Sequence, residues 1–379
     1  MIDKNMIMEL IDLKHEGGYW DFKKEWHDKN EELLFDIICF ANNLENRDCY
    51  IIFGVDEHKD YQIADVTTDS NRKDTSNVIN FLETIPFCGN LRPDVIVDSI
   101  EIDDKTIDVL TIKNSFNTPY FLSERYKHGK GVLPYIFVRL KNSNSLRDRN
   151  ADINHIETLW KKRFRMDQSP LERIKYLLSD YKNWDNSPVK DIDLTKKYYK
   201  YAPEYTIEET MDDRDGVEVM HLLQCDNTPH WGTIELKYHQ TVLGSVDLAI
   251  LDGGRYTTAA PTFGYIEIDY ENYYYRYYQK GKLNAIMYNY YLMKENLDNN
   301  ASGRLLDCVI FFESEEDRIN FEKYVVINKE TFIEKIKNVK DRFETVQLRK
   351  DLLKSEFEKR YKMIVALKSM YEEYKNLNN

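Results

Sequence analysis

The stretch that decides the fold of the first half is residues 16–23, EGGYWDFK. Its two glycines predict a tight turn, and the alternation that follows predicts a strand over residues 19–24. A short helix is expected before the turn, over residues 4–13. Two acids, Glu16 and Asp21, therefore flank a turn that leads into a strand, with Lys23 two residues further along the same strand face.

Further elements follow from hydrophobic periodicity. Apolar residues at 33, 34, 37, 38 and 41 share one helical face, and the apolar run at 49–55 is typical of a central buried strand. Helices are also expected at 31–42, 76–84 and 154–164, and strands at 95–102, 105–112 and 133–140. Mixed strands and helices indicate an α+β unit.

Four sequence blocks in this half occur in a recognisable order. They are EGGYWDFK at 16–23, IICFANN at 37–43, YIIFGVDE at 50–57, and YIFVRLKNSNS at 135–145, which is followed by IETLWKKR at 156–163. Together they resemble the AlbA_2 module of Schlafen proteins and of bacterial nucleic-acid-binding proteins. The resemblance implies an AlbA_2 domain over residues 1–166, with a mixed sheet and helices like one lobe of a Schlafen core.

The resemblance also implies a chemistry. Some Schlafen proteins cut tRNA or rRNA through three carboxylates, which match Glu16, Asp21 and either Asp56 or Glu57 here. Spacing from Gly54 favours Glu57, so the implied catalytic set is Glu16, Asp21, Lys23 and Glu57. The implied metal ligands are Glu16, Asp21, Asp56 and Glu57. Asp21 stands where the family pattern has Glu, which shortens that side chain by one methylene.

The residues themselves are consistent with such a site. Clustered carboxylates repel one another unless a cation joins them, and hard oxygen ligands suit Mg²⁺ or Mn²⁺. Such an ion could activate water for phosphodiester cleavage, with Lys23 holding the scissile phosphate. The alternative is that Glu16 and Asp21 are solvated charges and that Lys23 pairs with one of them.

A basic segment forms the second candidate site. Residues 122–165 contain eleven Lys and Arg against four Asp and Glu, although the whole chain carries a net charge of −13. We expect phosphate contacts from this segment, and the alternative is a solvated helix face. The expected nucleic-acid-binding residues are Arg139, Lys141, Arg147, Arg149, Lys161, Lys162 and Arg163.

Composition excludes several classes of protein. The sequence contains no run of 18 apolar residues, which argues against a membrane span, and its charged N-terminus does not resemble a signal peptide. The five cysteines lack a CxxC pair, which argues against a zinc site and a disulfide framework. We therefore expect a cytoplasmic protein.

The second half resembles no family that its sequence lets us identify. We expect a junction at 167–195, an α+β domain at 196–328 and C-terminal helices at 329–379. Strands are predicted at 217–225, 233–239, 245–251, 263–268 and 308–313, and helices at 270–296, 329–340 and 346–376. The overall expectation is therefore an α+β protein whose second domain ends in long helices.

Three features of this half allow functional hypotheses. Glu235-x-Lys237, with Asp226 and Asp247, is similar to a restriction-nuclease pattern but also arises by chance on exposed strands. The tyrosine-rich stretch 270–296, read as a helix, fits either an RNA-stacking surface or a packing interface, and we favour the interface. The C-terminal apolar stripe fits packing on its own domain or self-association. A single copy of the AlbA_2 blocks favours a homodimer, since Schlafen cores contain two related lobes.

Two functions compete at this point. The first is a metal-dependent endoribonuclease that cleaves tRNA or similar structured RNA, as a stress or anti-phage effector. The second is a non-catalytic nucleic-acid-binding regulator whose C-terminal half senses a signal or oligomerises. In both, the expected partner is RNA rather than DNA.

Overall fold

The computed structural model describes residues 2–127, 131–188, 194–214, 216–225, 229–294, 299–340, 342 and 353–378. The chain divides into two compact units, Met1–Asp167 and Gln168–Asn379. Both units contain helices and strands, which confirms the α+β class. None of the described helices is both long enough and apolar enough to cross a bilayer.

The first unit is built on a mixed four-stranded sheet whose neighbouring strands are, in order, β1 (Trp20–Lys23), β2 (Cys49–Phe53), β6 (Lys105–Ile112) and β5 (Val95–Ile102). β1 runs parallel to β2, and the other two pairings are antiparallel. Its helices are α1 Lys4–Asp12, α2 Asn30–Ala41, α3 Thr75–Glu83 and α4 Ile153–Arg163. Its strands are β1 Trp20–Lys23, β2 Cys49–Phe53, β3 Val55–Asp56, β4 Gln62–Ile63, β5 Val95–Ile102, β6 Lys105–Ile112, β7 Arg139–Leu140 and β8 Ser143–Asn144.

Both faces of this sheet are covered. On β2, Ile51 and Phe53 belong to the core shared with α2, whereas Ile52 belongs to the core shared with α1. A strand buried on both faces must be apolar at every position, and this explains the uninterrupted run that predicted it. The strand expected at 133–140 is wrong in extent, because pairing begins only at Arg139 and forms a short hairpin with β8.

The second unit contains a six-stranded sheet and a three-stranded sheet. Strands β9 Trp184–Asn186, β10 Leu194–Tyr199, β11 Ala202–Asp212, β12 His230–Tyr238, β13 Thr241–Leu251 and β14 Tyr256–Ala259 form an antiparallel sheet in the order β14-β13-β12-β11-β10-β9. Strands β15 Thr262–Ile268, β16 Glu271–Gln279 and β17 Val309–Phe312 form the other, in which β16 and β17 are parallel. The helices are α5 Pro170–Ser179, α6 Val219–Leu222, α7 Leu283–Lys294, α8 Asn299–Leu306, α9 Glu315–Ile327, α10 Lys329–Asn338 and α11 Lys354–Asn378.

Several expectations for this unit are wrong. The stretch expected as one helix over 270–296 is strand β16 followed by α7, because Gly281, with φ of +81°, breaks the chain between them. The strand propensity of tyrosine favours the strand. The strand expected at 217–225 contains helix α6, since a short apolar run does not distinguish the two. Helix α5 and strand β9 occupy much of the expected junction.

The C-terminal helix α11 packs on its own unit. Phe357, Tyr361, Ile364, Leu367 and Met370 are buried in the core that also contains β16 and β17. Of the two alternatives for this apolar stripe, the described part of the chain supports intramolecular packing. Leu348 and Leu352, which belong to the predicted apolar stripe, lie outside the described residues. Asp226 of the nuclease-like pattern lies outside them as well.

Candidate nucleic-acid interface

Glu16 and Asp21 come together at the start of β1. The backbone N–H of Gly17 donates to the carbonyl of Trp20, which closes the turn between the two acids. A Cβ on Gly17 would lie 2.2 Å from the Trp20 ring, and one on Gly18 would lie 1.8 Å from Glu45 Oε1. Gly17 is therefore required by the close approach of the Trp20 ring, whereas the contact at Gly18 is with the end of an exposed, flexible side chain. The turn is the reason that two acids five residues apart point to one place.

A buried arginine joins the two carboxylates. Arg139 Nη2 donates to Glu16 Oε2 at 3.2 Å and to Asp21 Oδ1 at 3.0 Å. Its Nε donates to the carbonyl of Gly17 at 3.3 Å and its Nη1 to Asn144 Oδ1 at 3.3 Å. The Arg139 side chain is only 4% exposed and that of Asp21 only 3%. We call Glu16, Asp21 and Arg139 the acid–arginine clasp.

The position of Arg139 corrects the expected phosphate contact. Arg139 and Lys141 were expected to point together toward nucleic acid, but the Arg139 guanidinium faces inward. A buried carboxylate is costly unless a cation and further hydrogen bonds compensate it, and the planar guanidinium satisfies two acids at once. Lys23 adds a second cation, since its ammonium pairs with Asp21 while the side chain stays about one third exposed.

The clasp continues into a longer polar network. Asn144 Nδ2 donates to Asp36 Oδ1 at 2.8 Å, and His27 Nε2 lies 2.8 Å from Asp36 Oδ2. The other ring nitrogen of His27, Nδ1, is buried without a hydrogen-bond partner among the described residues. Sequence reasoning missed Asp36 and His27. The available signal was an acid at 36 within the apolar helix 33–41, because such a residue requires a buried partner.

The clasp shifts the pKa values of its acids in opposite directions. Burial raises the pKa of Glu16 to about 7, and the hydrogen bond and negative charge of Asp21 act in the same sense. Burial would also raise the pKa of Asp21, but the Lys23 ammonium, the hydrogen bond with Glu16 and the Arg139 guanidinium lower it below its usual value. Two neighbouring acids with separated pKa values can share one proton near neutral pH.

The expected third carboxylate does not complete a metal site. Asp56 accepts a hydrogen bond from the backbone N–H of His58 at 3.2 Å, and Glu57 lies in the turn after β3, 3.7 Å from the His58 ring. Within the described residues, no group of three or more His, Cys, Asp or Glu side chains is arranged to hold a metal. The oxygens that Mg²⁺ or Mn²⁺ would take from Glu16 and Asp21 are bonded to cations of the protein. This arrangement does not fit the expected ion, and metal dependence stays a prediction.

The described cations of the basic segment form two groups, those without a carboxylate partner and those that contact another group of the protein. Lys141 lies in the turn of the β7–β8 hairpin with φ of +54°, and Arg147 lies over the Phe35 ring at 4.2 Å. Both are exposed, and neither forms an ion pair with a carboxylate in the described part of the chain.

Four further cations of the segment have partners. Arg149 pairs with Asp148 at 2.9 Å and Lys161 with Glu157 at 3.6 Å, whereas Arg163 donates to the carbonyl of Asn117 at 2.8 Å. Lys162 is buried and donates to Asn114 Oδ1 at 2.7 Å, and burial lowers its pKa. Its expected phosphate contact is therefore replaced by an internal hydrogen bond.

Asn42, near the end of the IICFANN block, does more than end a helix. It does end α2, but its side chain is also fully buried. The amide donates to the carbonyls of Tyr120 and Phe137, both at 2.8 Å, and accepts from the Tyr120 N–H at 2.7 Å. It thus ties the chain just before Arg139 to the end of α2.

The nuclease-like pattern of the second unit is explained by cross-strand pairing. Lys237 forms ion pairs with Glu235 and with Glu208 on the neighbouring strand. Asp247 pairs with Arg214 at 2.8 Å. Opposite charges placed side by side on a sheet stabilise it without any catalytic role.

Comparison with known proteins agrees with the organisation of the first unit. The Schlafen AlbA_2 family model matches residues 16–146, the range that contains both acids, Arg139 and Lys141. No curated protein matches the chain with significance. Among solved structures, the chain is similar to the DIP2311 protein from Corynebacterium diphtheriae, with 12% identity and a TM-score of 0.26.

That similarity covers 43% of this chain and only 30% of the DIP2311 chain, and no argument is based on it. The family match, in contrast, confirms the resemblance that the four sequence blocks indicated. Residues 16–146 match the Schlafen AlbA_2 domain family, which suggests a function related to nucleic acid.

Proposed function

We propose that this protein is a non-catalytic nucleic-acid-binding regulator that contacts RNA through the β7–β8 hairpin of its AlbA_2 domain. The observation that carries the proposal is the contrast between adjacent cations: Arg139 is buried in the clasp, whereas Lys141 and Arg147 are exposed without carboxylate partners. RNA as the preferred partner follows from the family resemblance of the domain.

The clasp explains how such a hairpin would function. Arg139 anchors one strand of the hairpin to β1, and Asn144 anchors the other to α2 through Asp36. The turn between them, with Lys141 at its tip, is held by buried hydrogen bonds on both sides. Cations on a fixed scaffold lose less conformational entropy on binding phosphate than cations on a free loop.

Charge distribution favours phosphate contacts at this hairpin over contacts on most of the surface. The chain carries a net charge of −13, so most of its surface repels a polyanion. Binding energy should therefore come from few phosphate contacts and should depend measurably on each one.

A salt titration tests this proposal. Fluorescence anisotropy with a labelled single-stranded RNA would compare the wild type with a Lys141→Gln/Arg147→Gln variant. We expect weaker binding, and a slope of log affinity against log salt that is shallower by about 1.4, or about 0.7 per lost phosphate contact. A Lys280→Gln/Lys329→Gln variant, in which both cations are exposed and already paired, is the matched control. An unchanged slope in the first variant, or no binding by the wild type, would overturn the proposal.

A second candidate is the metal-dependent endoribonuclease that acts on tRNA or similar RNA in stress or anti-phage defence. The observation that favours it is the convergence of Glu16 and Asp21 on one point, with Lys23 partly exposed beside them. It requires Arg139 to leave the acids so that Mg²⁺ or Mn²⁺ can bind.

Incubation with total tRNA and Mn²⁺ or Mg²⁺ separates the two candidates. Cleavage by the wild type that is lost in a Glu16→Gln/Asp21→Asn variant would establish the nuclease. If the wild type and the variant both bound tRNA without cleaving it, the result would support the non-catalytic regulator and exclude the nuclease.

A further inference from the structure

The outer face of the β15–β16 hairpin exposes large aromatic rings. Phe263 is 53% exposed, Tyr265 55% and Tyr274 40%, whereas the alternate residues Ile266 and Tyr275 are buried in the core. Strand alternation accounts for the two classes. We call Phe263, Tyr265 and Tyr274 the aromatic face.

Strand register brings the three rings together. Tyr265 is paired with Tyr274, and Phe263 is paired with Arg276 on the same side of the hairpin. The rings of Phe263 and Tyr274 stack at 5.2 Å with an interplanar angle of 27°, and those of Tyr265 and Tyr274 lie 6.3 Å apart. The result is a row of flat surfaces on two neighbouring strands.

Cationic and acidic side chains lie together at one end of this row. The Arg276 guanidinium is 5.1 Å from the Phe263 ring centre and is held in place by an ion pair with Glu218 and by the carbonyl of Pro261. Phe263, Arg276 and the exposed Lys282 line a surface cleft of about 620 Å³, together with Asp247 and Glu315. Toward the hairpin turn, Glu267 faces Asn272, so a negative charge lies at the opposite end.

We propose that the aromatic face binds a single-stranded segment of RNA by base stacking. This inference rests on the proposed function, because it assumes that the protein binds RNA. Exposed aromatic rings on adjacent strands are a recurrent platform for unpaired bases, and guanidinium groups beside them add cation–π and phosphate contacts.

The chemistry favours unpaired nucleic acid over a second copy of this chain. An interface between copies would bury a contiguous apolar core, but here Arg276, Glu267 and Asn272 alternate with the rings. A duplex keeps its bases stacked internally and offers no free base to the rings. The surface should therefore distinguish single strands from duplexes.

The test compares two RNA probes on the full-length protein. One is a labelled oligouridylate, and the other is a duplex RNA with the same number of phosphates. For Phe263→Ala/Tyr274→Ala we expect affinity for the single strand to fall roughly 5- to 100-fold, with an unchanged salt slope and unchanged duplex affinity. Tyr270→Ala is the matched control, since Tyr270 is 98% exposed in the hairpin turn outside the aromatic face. Circular dichroism would show that each variant is folded.

The possible results separate this inference from the proposed function. Unchanged single-strand affinity overturns the inference alone, provided that Lys141→Gln/Arg147→Gln still lowers the salt slope. An equal loss for both probes overturns it as well. So does a shift from dimer to monomer in sedimentation without a change in RNA affinity, which would make the face a self-association surface. Absence of RNA binding by the wild type removes both proposals together.

Discussion

The acid–arginine clasp and the aromatic face are opposites. In the clasp, charged groups are buried and almost every polar atom has a partner. On the aromatic face, large apolar rings are exposed to solvent and add little to the core. A buried charge must be compensated before the chain can fold, so its partners are determined by stability first. Exposed rings that folding does not use are the groups left available for another molecule.

The comparison also reverses the simplest interpretation of the motifs. The residues of the family motif were expected to meet metal and phosphate, yet two of them bind an internal arginine. Part of the tyrosine-rich stretch, for which an interface stays a prediction, faces solvent. Four measurements test this difference, in order of expected size.

Removal of the buried arginine should destabilise the protein strongly. Arg139→Ala leaves Asp21 and Glu16 without the guanidinium, and removal of one partner from a buried ion pair costs about 3–5 kcal/mol. We expect about 3 kcal/mol less free energy of unfolding by urea denaturation, because Lys23 still pairs with Asp21. The exposed pair of Arg149 with Asp148 provides the control, and Arg149→Ala should change stability by less than about 0.5 kcal/mol. Equal effects of the two variants would contradict the clasp as a folding element.

Metal binding should depend on whether the arginine is present. Arg139 and a divalent ion compete for the same carboxylate oxygens, so we expect Mn²⁺ to leave the melting temperature of the wild type unchanged. In Arg139→Ala the acids are freed, and Mn²⁺ at about 100 times its Kd would restore about 2.7 kcal/mol. If Mn²⁺ stabilised the wild type instead, the ion would displace Arg139 and the nuclease candidate would gain support.

The pH dependence of stability should follow Glu16. Its pKa rises from 4.5 to about 7 on folding, so the folded state holds this proton more tightly than the unfolded state. The contribution of Glu16 to the free energy of unfolding should therefore be fully present below pH 4.5 and should decrease as pH rises toward 7. Asp21 has a lowered pKa and acts in the opposite sense, at more acidic pH. The free energy of unfolding of the wild type minus that of Glu16→Gln should decrease as pH rises through this range, and a difference that does not change with pH would exclude the assignment.

Loss of an exposed ring should have the smallest effect on stability. Tyr265→Ala removes a side chain that is more than half exposed, so we expect less than about 1 kcal/mol from urea denaturation. Tyr275→Ala, on the adjacent strand, removes a buried ring that donates to Glu322 and should cost about 3–5 kcal/mol. Similar losses in both variants would mean that the aromatic face is structural.

Local sequence patterns predicted most of the first unit. The strands at 95–102 and 105–112 have the bounds that alternation indicated, and α2 and α3 begin within a residue of the prediction. Periodicity depends only on neighbouring residues, so it can be read without the fold. The same patterns failed at 270–296, where tyrosines fit both a strand and a helix and only the glycine break separates the two elements.

The sequence by itself predicted an AlbA_2 domain over residues 1–166, of which the family match covers residues 16–146, and placed Glu16 and Asp21 on either side of a glycine turn. Both depend on short-range patterns in the sequence. The tertiary structure alone decided which cation those acids hold, because Arg139 lies more than a hundred residues away and reaches them only when its hairpin docks. It likewise decided which aromatic rings of the tyrosine-rich strand are buried and which are exposed. Both results depend on where the chain is covered by distant segments, and a residue's neighbours in sequence do not specify that.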